Sequence, residues 1–349
     1  MSSSRKPILK DKAQAPFFVG LDLGGTNIKV GVVDDLGRTL ANSYLKVKTE
    51  VPKGPEDASR RMGEAILESI RRAGLTPKRV AGIGLGSPGT MDIPGGKLVK
   101  PANLPGWEYF PLRDRVSHHC AMPVTFANDA TAAAYGEFWI GSGRDFHSMI
   151  LLTLGTGIGC GIVIGDLLLD GQHSHGGEFG HSIIDCADDA RTCGCGKRGH
   201  YEAYGSATAV IKRTREALKA GRRSSLTKAI KQGAELTPLL VEEHAEAGDK
   251  LSLELILETA RYIAVGAVNL MHTIDPDAIL FGGAMTFGGK RSPLGRRFLD
   301  RIKEEIRKRA YEVPAEKTVI DFATLGGDAG YLGAAGIARM EYRKTAQTA

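Results

Sequence analysis

Apolar residues along the chain recur in short runs that are separated by glycine-rich turns, with longer amphipathic segments between them. Two such runs, Phe17–Leu23 and Ile28–Val33, flank Gly24–Asn27 and predict a hairpin. Strands are also predicted at Thr39–Val47, Val80–Leu85 and Val124–Ala127, and helices at Pro55–Ala73 and Ala130–Trp139. Strands that alternate with helices of this length predict an α/β fold.

The second half of the chain repeats the opening pattern. Leu152–Ile164 reads as a strand, a turn of Gly, Thr and Gly, and a second strand. Two hairpins of one design predict two related α/β domains that flank a shared cleft, each offering it a phosphate-binding loop. Neither turn opens directly into a helix with the spacing of a P-loop or a dinucleotide fingerprint.

The remaining segments complete the predicted organisation. A loop is expected at Gly86–Gly96, and the other predicted elements are helices at Ser206–Ala220, Leu226–Lys231, Pro238–Ala247, Leu251–Thr273, Pro293–Ala310 and Asp328–Tyr342, with strands at Ala278–Phe281 and Thr318–Ala323. We expect a disordered leader at 1–16, and a small α/β domain at 17–127 that a C-terminal helix at about 328–345 completes. A larger α/β domain is expected at 128–327, including a cysteine-rich loop at 177–202.

The composition excludes some classes of protein but does not indicate a function. The 349 residues are 42% hydrophobic and 25% charged, as in ordinary soluble proteins. The net charge of +6 is dispersed, which indicates solvated helix faces rather than a nucleic-acid surface. Five cysteines, three of them within ten positions, argue against a secreted disulfide scaffold. Without an apolar signal segment or a run long enough to span a membrane, a cytoplasmic protein is expected.

The cysteine loop, Gly177–Glu202, carries the most specific pattern in the chain. His181, Cys193, Cys195 and His200 could form a tetrahedral zinc site, and Cys186 lies nearby. Four protein ligands leave no open position, so the zinc would be structural. The alternative is a free-thiol loop with scattered histidines. Glu178 and Glu202, at the ends of the loop, could grip a polar ligand.

Polar residues at strand ends suggest a phosphate site. Asp22, Thr26 and Lys29 surround the first glycine turn, although a plain hairpin would also explain that turn. Asp129 follows a predicted strand at its carboxyl end, where open α/β sheets bind ligands; the alternative is an ordinary helix N-cap. A third glycine turn, Gly282-Gly283, also follows a strand. These features indicate phosphoryl transfer to a hydroxylated acceptor with Mg²⁺, and Asp129 would be the general base.

At these residues the sequence resembles the ROK family of sugar kinases and repressors, most of all its bacterial glucokinases. The resemblance runs from Phe17 to about Tyr342. It is carried by DLGGTNIK (Asp22–Lys29), NLPGW (Asn103–Trp107), ND (Asn128-Asp129), LTLGTGIGCG (Leu152–Gly161), GEFGH (Gly177–His181), CGCG (Cys193–Gly196) and GHYEAYGS (Gly199–Ser206). It implies an actin-like, hexokinase-type ATPase fold whose cleft closes on sugar and ATP, and phosphorylation of a hexose, D-glucose, at the 6-hydroxyl.

The resemblance also implies roles for individual residues. Asp129 is the expected base. The expected sugar ligands are Asn103, Asn128, Glu178, His181 and Glu202. Phosphates and Mg²⁺ are expected at Asp22, Gly24, Gly25, Thr26, Lys29, Thr153, Gly155, Thr156 and Gly157, and the nucleoside at Gly282 and Gly283. We also expect a homodimer or a higher homo-oligomer, with no nucleic-acid or membrane partner.

One departure and two alternatives follow from the same comparison of motifs. The family usually has a third cysteine where this chain has His200, which makes the expected zinc site Cys₂His₂. The acceptor could instead be N-acetylmannosamine, N-acetylglucosamine or fructose. A sugar-responsive DNA-binding regulator is disfavoured, because sixteen residues before Phe17 are too few for a helix-turn-helix module.

Overall fold

The computed structural model describes residues 6–165 and 167–348, and its framework is two five-stranded sheets. The strand orders are β3-β2-β1-β4-β7 and β10-β9-β8-β11-β12. Counted along the chain within each sheet, both orders read 3-2-1-4-5, so the two sheets share one topology. The predicted repetition of the opening hairpin therefore extends to a whole sheet.

Most of the longer strands lie close to predicted apolar runs, whereas β3 covers only the end of its run and β5, β6 and β10 were not predicted. Their bounds are β1 Phe17–Leu23, β2 Asn27–Val33, β3 Leu45–Lys48, β4 Val80–Ser87, β5 Thr90–Asp92, β6 Lys97–Lys100, β7 Val124–Asn128, β8 Ser148–Leu154, β9 Ile158–Ile164, β10 Leu167–Leu168, β11 Ala278–Gly282 and β12 Val319–Phe322. β1 pairs antiparallel with β2 and parallel with β4, and β4 pairs parallel with β7. The carboxyl ends of β1, β4 and β7 therefore meet at one edge of the first sheet.

The helices account for about half of the remaining described chain. Their bounds are α1 Pro55–Arg72, α2 Leu112–Cys120, α3 Asp129–Ile140, α4 Glu202–Gly205, α5 Ala207–Lys219, α6 Leu226–Lys231, α7 Pro238–Glu246, α8 Lys250–Ile274, α9 Pro293–Arg307, α10 Glu312–Lys317 and α11 Ala329–Thr348. Side-chain caps define several of their starts: Asn128 caps α3, Ser206 caps α5 and Asp249 caps α8.

Contacts divide the chain into two compact units. The first contains the described residues up to Leu151, Gly161–Gly177 and the segment from Ala323 onward; the second contains Leu152–Cys160 and Glu178–Phe322. In the first unit one apolar cluster joins the sheet to α1 and α2. A second cluster, with Phe18, Tyr331 and Ala335, joins the opposite face of the sheet to α3 and α11.

Glycines allow α11 to lie directly against the backbone of its neighbours. A Cβ atom at Gly84 of β4 would overlap the carbonyl oxygen of Ala334, and one at Gly333 would overlap that of Ala132 in α3. A side chain at either position would therefore separate α11 from the sheet or from α3.

The buried carboxylate of Glu137 adds a polar tie between α3 and the segment that leads into α11. Its Oε1 accepts the N–H groups of Thr324 and Leu325 at 2.8 and 2.6 Å. Its Oε2 accepts the N–H of Ser142 at 2.9 Å and the hydroxyls of Ser142 and Thr324 at 2.9 and 3.1 Å. Glu137 has no exposed surface, and these five bonds satisfy its charge.

The second unit is mainly helical around its strands. The longest helix, α8, buries apolar residues along most of its length, including Ile256, Ile263 and Leu270. Asp275, in the left-handed region at φ 52°, ends it. Proline at position 276 follows, as expected after a helix stop.

Two predicted boundaries need correction. The first unit does not end near residue 127: it continues to Leu151 and takes in Gly161–Gly177, and α3 belongs to it because α3 packs on α11. The predicted leader at 1–16 is ordered from residue 6 onward, whereas residues 1–5 lie outside the described part. Ile8 exchanges backbone hydrogen bonds with Thr39 and Ala41 at 2.9 and 2.7 Å, and a short 3-10 helix spans Lys10–Lys12.

Candidate active site and metal centre

The first glycine turn, Gly24–Thr26, lies in the first unit between β1 and β2. Asp22 and Lys29 are paired in the register of these strands, and their charged groups are 3.4 Å apart. Lys29 also donates to the carbonyl oxygen of Gly327, just before α11. Burial raises the pKa of the Asp22 carboxyl, and the charge of Lys29 opposes that rise. A buried carboxylate of this kind is stabilised by a cation.

Asn128 and Asp129 lie at the same sheet edge as Asp22. The strand register aligns Asp22 with Gly86, and Gly86 with Ala127, which places Asn128 one residue beyond that row. Two strand spacings separate β1 from β7, or about 10 Å. Asp22 and Asp129 therefore lie at the same edge of the first sheet, with β4 between their strands.

Asn128 takes the capping role that the sequence had left open for Asp129. The Asn128 Oδ1 atom accepts the N–H groups of Ala130 and Thr131 at 2.9 and 3.3 Å. Asp129 is the first residue of α3 and is only partly buried, with Oδ1 accepting the N–H of Ala130 at 2.8 Å. The carboxylate thus sits at a helix N-terminus, where negative charge is favoured.

The second glycine turn, Gly155–Gly157, lies in the second unit between β8 and β9. The start of α5 holds this turn: the N–H of Ala207 donates to Gly155 O at 2.9 Å, and the hydroxyl of Thr208 to Thr156 O at 2.8 Å. A Cβ atom at Gly155 would meet nothing within 4 Å, so the backbone there is open to a ligand. Thr153 precedes the turn on β8.

The third glycine turn, Gly282-Gly283, packs beside the second. Gly283 has φ 92°, and a Cβ atom there would overlap the backbone of Leu154 at the end of β8. The N–H of Met285 donates to Leu154 O at 3.0 Å. The second and third turns, which were both predicted to face the nucleotide, therefore lie side by side in the second unit.

The cysteine loop brings its four predicted ligands together. One donor atom from each of His181, Cys193, Cys195 and His200 lies within 4.8 Å of the others, and Cys186 is outside this Cys₂His₂ cluster. The two Nδ1 atoms are 3.3 Å apart, and the Sγ–Nδ1 distances are 3.7 Å for Cys193–His181 and 3.2 Å for Cys195–His200.

These distances can be compared with those of a zinc site. Zn–N bonds of about 2.0–2.1 Å and Zn–S bonds of about 2.3 Å place tetrahedral ligand atoms about 3.3–3.8 Å apart. The donor spacing in the cluster is close to this range, and two thiols with two imidazoles suit zinc. Burial and the nearby His181 lower the pKa of His200, which favours the neutral imidazole that a metal requires.

Glu178 and Glu202 lie beside two different residues of the cluster, His181 and Cys193. Because His181 Nδ1 belongs to the cluster, its Nε2 atom points away, to 3.8 Å from Glu178 Oε2. Glu202 has one carboxylate oxygen 3.6 Å from Cys193 Sγ, and the other accepts the N–H of Ile158 at 2.9 Å. Both residues belong to the second unit, whereas Asn103, Asn128 and Asp129 belong to the first.

Asn103 is exposed, and its backbone approaches the first glycine turn. Its carbonyl oxygen lies 3.5 Å from where a Cβ atom at Gly25 would be. Sequence reasoning overlooked three polar residues near these sites: Thr208, Asp328 and Asp170. The Gly326-Gly327 pair before Asp328 was an available signal, since it is a further glycine turn after a strand. Asp170, which accepts from Thr131 of α3 at 3.3 Å, had no such signal.

Known proteins are similar to this chain in sequence and in fold. The model of the ROK family matches residues 18–341. A glucokinase of Halalkalibacterium halodurans is 32% identical over 91% of this chain and 93% of its own length. A xylose repressor of Caldicellulosiruptor bescii is 29% identical, over 94% of this chain and 80% of its own length.

Solved structures agree with these sequence matches. The ROK hexokinase from Thermus thermophilus has a TM-score of 0.79 and 32% identity, and covers 94% of this chain and 99% of its own. A ROK family glucokinase from Streptomyces griseus, in complex with glucose and AMPPNP, has a TM-score of 0.75 and 32% identity, over 93% of this chain and 99% of its own. The predicted actin-like ATPase fold is confirmed. Within the described residues no helix is both long and apolar enough to cross a bilayer. The chain belongs to the ROK family.

Proposed function

We propose that the protein is an ATP-dependent glucokinase that phosphorylates D-glucose at the 6-hydroxyl. Its similarity to proteins named glucokinase over nearly their whole length supports this activity. The structural observation that carries it is the place of Asp129: a partly exposed carboxylate at the carboxyl edge of a sheet, on the same edge as Asp22.

Asp129 is the general base of the proposed reaction. Its carboxylate accepts the proton of the sugar 6-hydroxyl while that oxygen attacks the γ-phosphorus of ATP, and ADP leaves with the electrons of the broken P–O bond. Since Asn128 Oδ1 already caps α3, the amide nitrogen of Asn128 is the group that remains for a sugar hydroxyl. The cap of α3 thus orients Asp129, the proposed base, together with Asn128.

The proposed sugar ligands are Asn103, Asn128, Glu178, His181 and Glu202. His181 Nε2 and the Glu178 carboxylate, 3.8 Å apart, present a donor and an acceptor side by side, which suits adjacent sugar hydroxyls. Zinc held by the Cys₂His₂ cluster would stabilise the loop and fix the His181 ring through Nδ1. With four protein residues to hold it, the metal would have a structural and orienting role.

The donor nucleotide is assigned to the glycine turns. Backbone N–H groups of Gly24, Gly25, Gly155 and Gly157, with Thr26, Thr153 and Thr156, would contact phosphates, and Gly282-Gly283 the nucleoside. Mg²⁺ bound with ATP would neutralise phosphate charge, and Asp22 is the carboxylate placed to face it, with Lys29 beside it. We further propose that the enzyme works in the cytoplasm as a homo-oligomer, on small-molecule substrates alone.

Substitution of Asp129 tests the proposal. Asp129→Asn retains the size of the side chain but cannot accept the proton, so kcat with glucose should fall by roughly 10²-fold or more while glucose binding stays close to that of the wild type. Asp145→Asn, which changes an exposed aspartate, is the matched control and should leave kcat unchanged. An Asp129→Asn enzyme that keeps most of its kcat would remove Asp129 from this role.

A panel of acceptors tests the choice of sugar. Glucose, N-acetylmannosamine, N-acetylglucosamine and fructose should be compared by kcat/KM with ATP and Mg²⁺, and glucose should give the highest value. A higher value for an N-acetyl sugar would change the substrate but preserve the reaction. Sugar binding without any phosphoryl transfer would instead favour a regulator, as in the relative named xylose repressor.

A further inference from the structure

Glu202 connects the cysteine loop to the second glycine turn. It follows His200 by two residues, and its Oε1 lies 3.6 Å from Cys193 Sγ. Its Oε2 accepts the N–H of Ile158 at 2.9 Å, across 44 residues of sequence. Ile158 is the first residue of β9 and directly follows the turn. One carboxylate therefore touches both the proposed metal centre and the proposed phosphate site.

The glycine at position 157 shows how closely this carboxylate covers the turn. A Cβ atom at Gly157 would overlap Glu202 Oε2. The Gly155 N–H bonds to Gly157 O at 3.0 Å, which closes the turn on itself. With α5 holding Gly155 and Thr156 from one end, Glu202 is the side chain that holds the exit of the turn.

We propose that Glu202 is a positioning residue that couples the Cys₂His₂ cluster to the donor-phosphate turn. A metal held by the cluster would fix His200, two residues before Glu202, and with it the backbone that carries the Glu202 carboxylate. The carboxylate in turn determines where the N–H of Ile158 and the turn lie. Loss of the metal would then weaken nucleotide binding as well as sugar binding. This inference rests on the proposed function and adds to the sugar contact assigned to Glu202 there.

The test is AMPPNP binding by isothermal titration calorimetry without sugar. Glu202→Ala leaves the Ile158 N–H without its acceptor, so the Kd should rise by about tenfold, the effect of losing one such hydrogen bond. Glu202→Gln keeps an amide oxygen that can accept this N–H, so its Kd should stay within about threefold of the wild type. Glu216→Ala is the matched control: it breaks the Arg191–Glu216 link between the cysteine loop and α5 without touching the turn, and its Kd should not change.

Removal of the metal is a second test of the coupling. Dialysis against a chelator should raise the Kd of the wild type for AMPPNP but add little to that of Glu202→Ala, because both changes release the same turn. Zinc content should stay normal in Glu202→Ala, since Glu202 is not among the four cluster residues. Hydrogen exchange should be faster at Ile158 in Glu202→Ala than in Glu202→Gln, which checks the bond itself without any ligand.

The outcomes separate the inference from the proposed function. If the wild type binds AMPPNP and Glu202→Ala binds it equally well, Glu202 is at most a sugar ligand and the coupling is wrong. Loss of zinc from Glu202→Ala would also overturn the coupling, because Glu202 would then act on the metal centre itself. A wild type that binds no AMPPNP while the exchange difference at Ile158 persists would refute the kinase proposal and leave the Glu202–Ile158 link standing.

Discussion

The most informative stability prediction concerns Glu137, whose buried carboxylate accepts five hydrogen bonds from groups of the first unit. Glu137→Gln keeps the shape of the side chain but replaces one oxygen by an NH₂ group. The better orientation puts this NH₂ at Oε2, since Oε1 accepts two backbone N–H groups. In that position the NH₂ group faces the Ser142 N–H and the hydroxyls of Ser142 and Thr324. The hydroxyls can rotate so that their oxygens accept hydrogen bonds from the NH₂ group.

The magnitude follows from these contacts. Hydrogen bonds to a charged acceptor are worth about 1 kcal/mol more than those to a neutral one, and the two N–H bonds at Oε1 each lose about that much. The Ser142 N–H loses its acceptor, which costs about 1–3 kcal/mol. Removing a buried charge recovers part of its desolvation cost. We therefore expect the free energy of unfolding to fall by about 3 kcal/mol.

Differential scanning calorimetry measures this change. For a folding unit of about 150–250 residues, 1 kcal/mol corresponds to roughly 2–4 °C, so the Tm of the first unit should fall by about 6–12 °C. Glu305→Gln is the matched control. Glu305 is only 2% exposed, but its partners are the surface cations Arg301, Lys308 and Arg309, which can turn to water. Its loss should cost about 1 kcal/mol or less.

The comparison of the two variants decides whether the reasoning holds. The backbone N–H groups around Glu137 cannot turn away to bond with water, whereas the surface cations around Glu305 can. Only Glu137→Gln should therefore lower the Tm strongly. Equal Tm shifts for the two glutamates, or an unchanged Tm for Glu137→Gln, would refute the argument from immobile donors.

Three further predictions follow from the structure. Gly84→Ala should lower the free energy of unfolding by about 3 kcal/mol or more, or prevent folding, because its Cβ would overlap Ala334 O. Gly155→Ala, the control, should leave the Tm unchanged because a Cβ there meets nothing within 4 Å. Equal Tm values for the two variants would refute the close contact at Gly84. Although burial opposes it, hydrogen bonds from backbone N–H groups lower the pKa of Asp249 to about 2. The ionised Asp249 therefore stabilises the fold fully above the pKa of an unfolded aspartate, near 4, and this stabilisation is lost as the pH falls toward 2. The Tm difference between the wild type and Asp249→Asn should shrink between pH 5 and pH 3. A constant difference would contradict this prediction. His200→Ala should lose bound zinc by elemental analysis while His200→Cys retains it, and full zinc in His200→Ala would show that this histidine is not a ligand.

Local features of this protein could be predicted from its sequence, because neighbouring residues determine them. β1 and most of β4 coincide with predicted strands, and the Cys₂His₂ cluster forms from residues within a single loop. The predicted strand at Thr39–Val47 was largely wrong. Asn42 has φ 64°, and the buried Ser43 hydroxyl bonds to the backbone of Val32 and Leu40, which turns the chain before β3 begins at Leu45.

Features that depend on distant residues could not be predicted from the pattern. β5 lies within Gly86–Gly96, which was expected to be a loop, but it pairs antiparallel with β6. The first unit extends to residue 151 because α3 meets α11 across almost 200 positions. The Glu202–Ile158 bond likewise joins two motifs whose separate patterns give no sign that they touch.

The backbone contact of α11 with β4 and α3 has a consequence for synthesis on the ribosome. The first unit begins near the N-terminus but needs Ala329–Thr348 to cover Phe18 and the glycines of its sheet. Until that helix leaves the exit tunnel, this face of the first sheet has only α3 packed on it, and the part that α11 covers, including Phe18, exposes apolar surface. The second unit is translated during this interval and can fold first, even though it lies later in the chain. We therefore expect nascent chains that stop before Ala329 to bind chaperones that recognise exposed apolar surface, and to be released once α11 emerges.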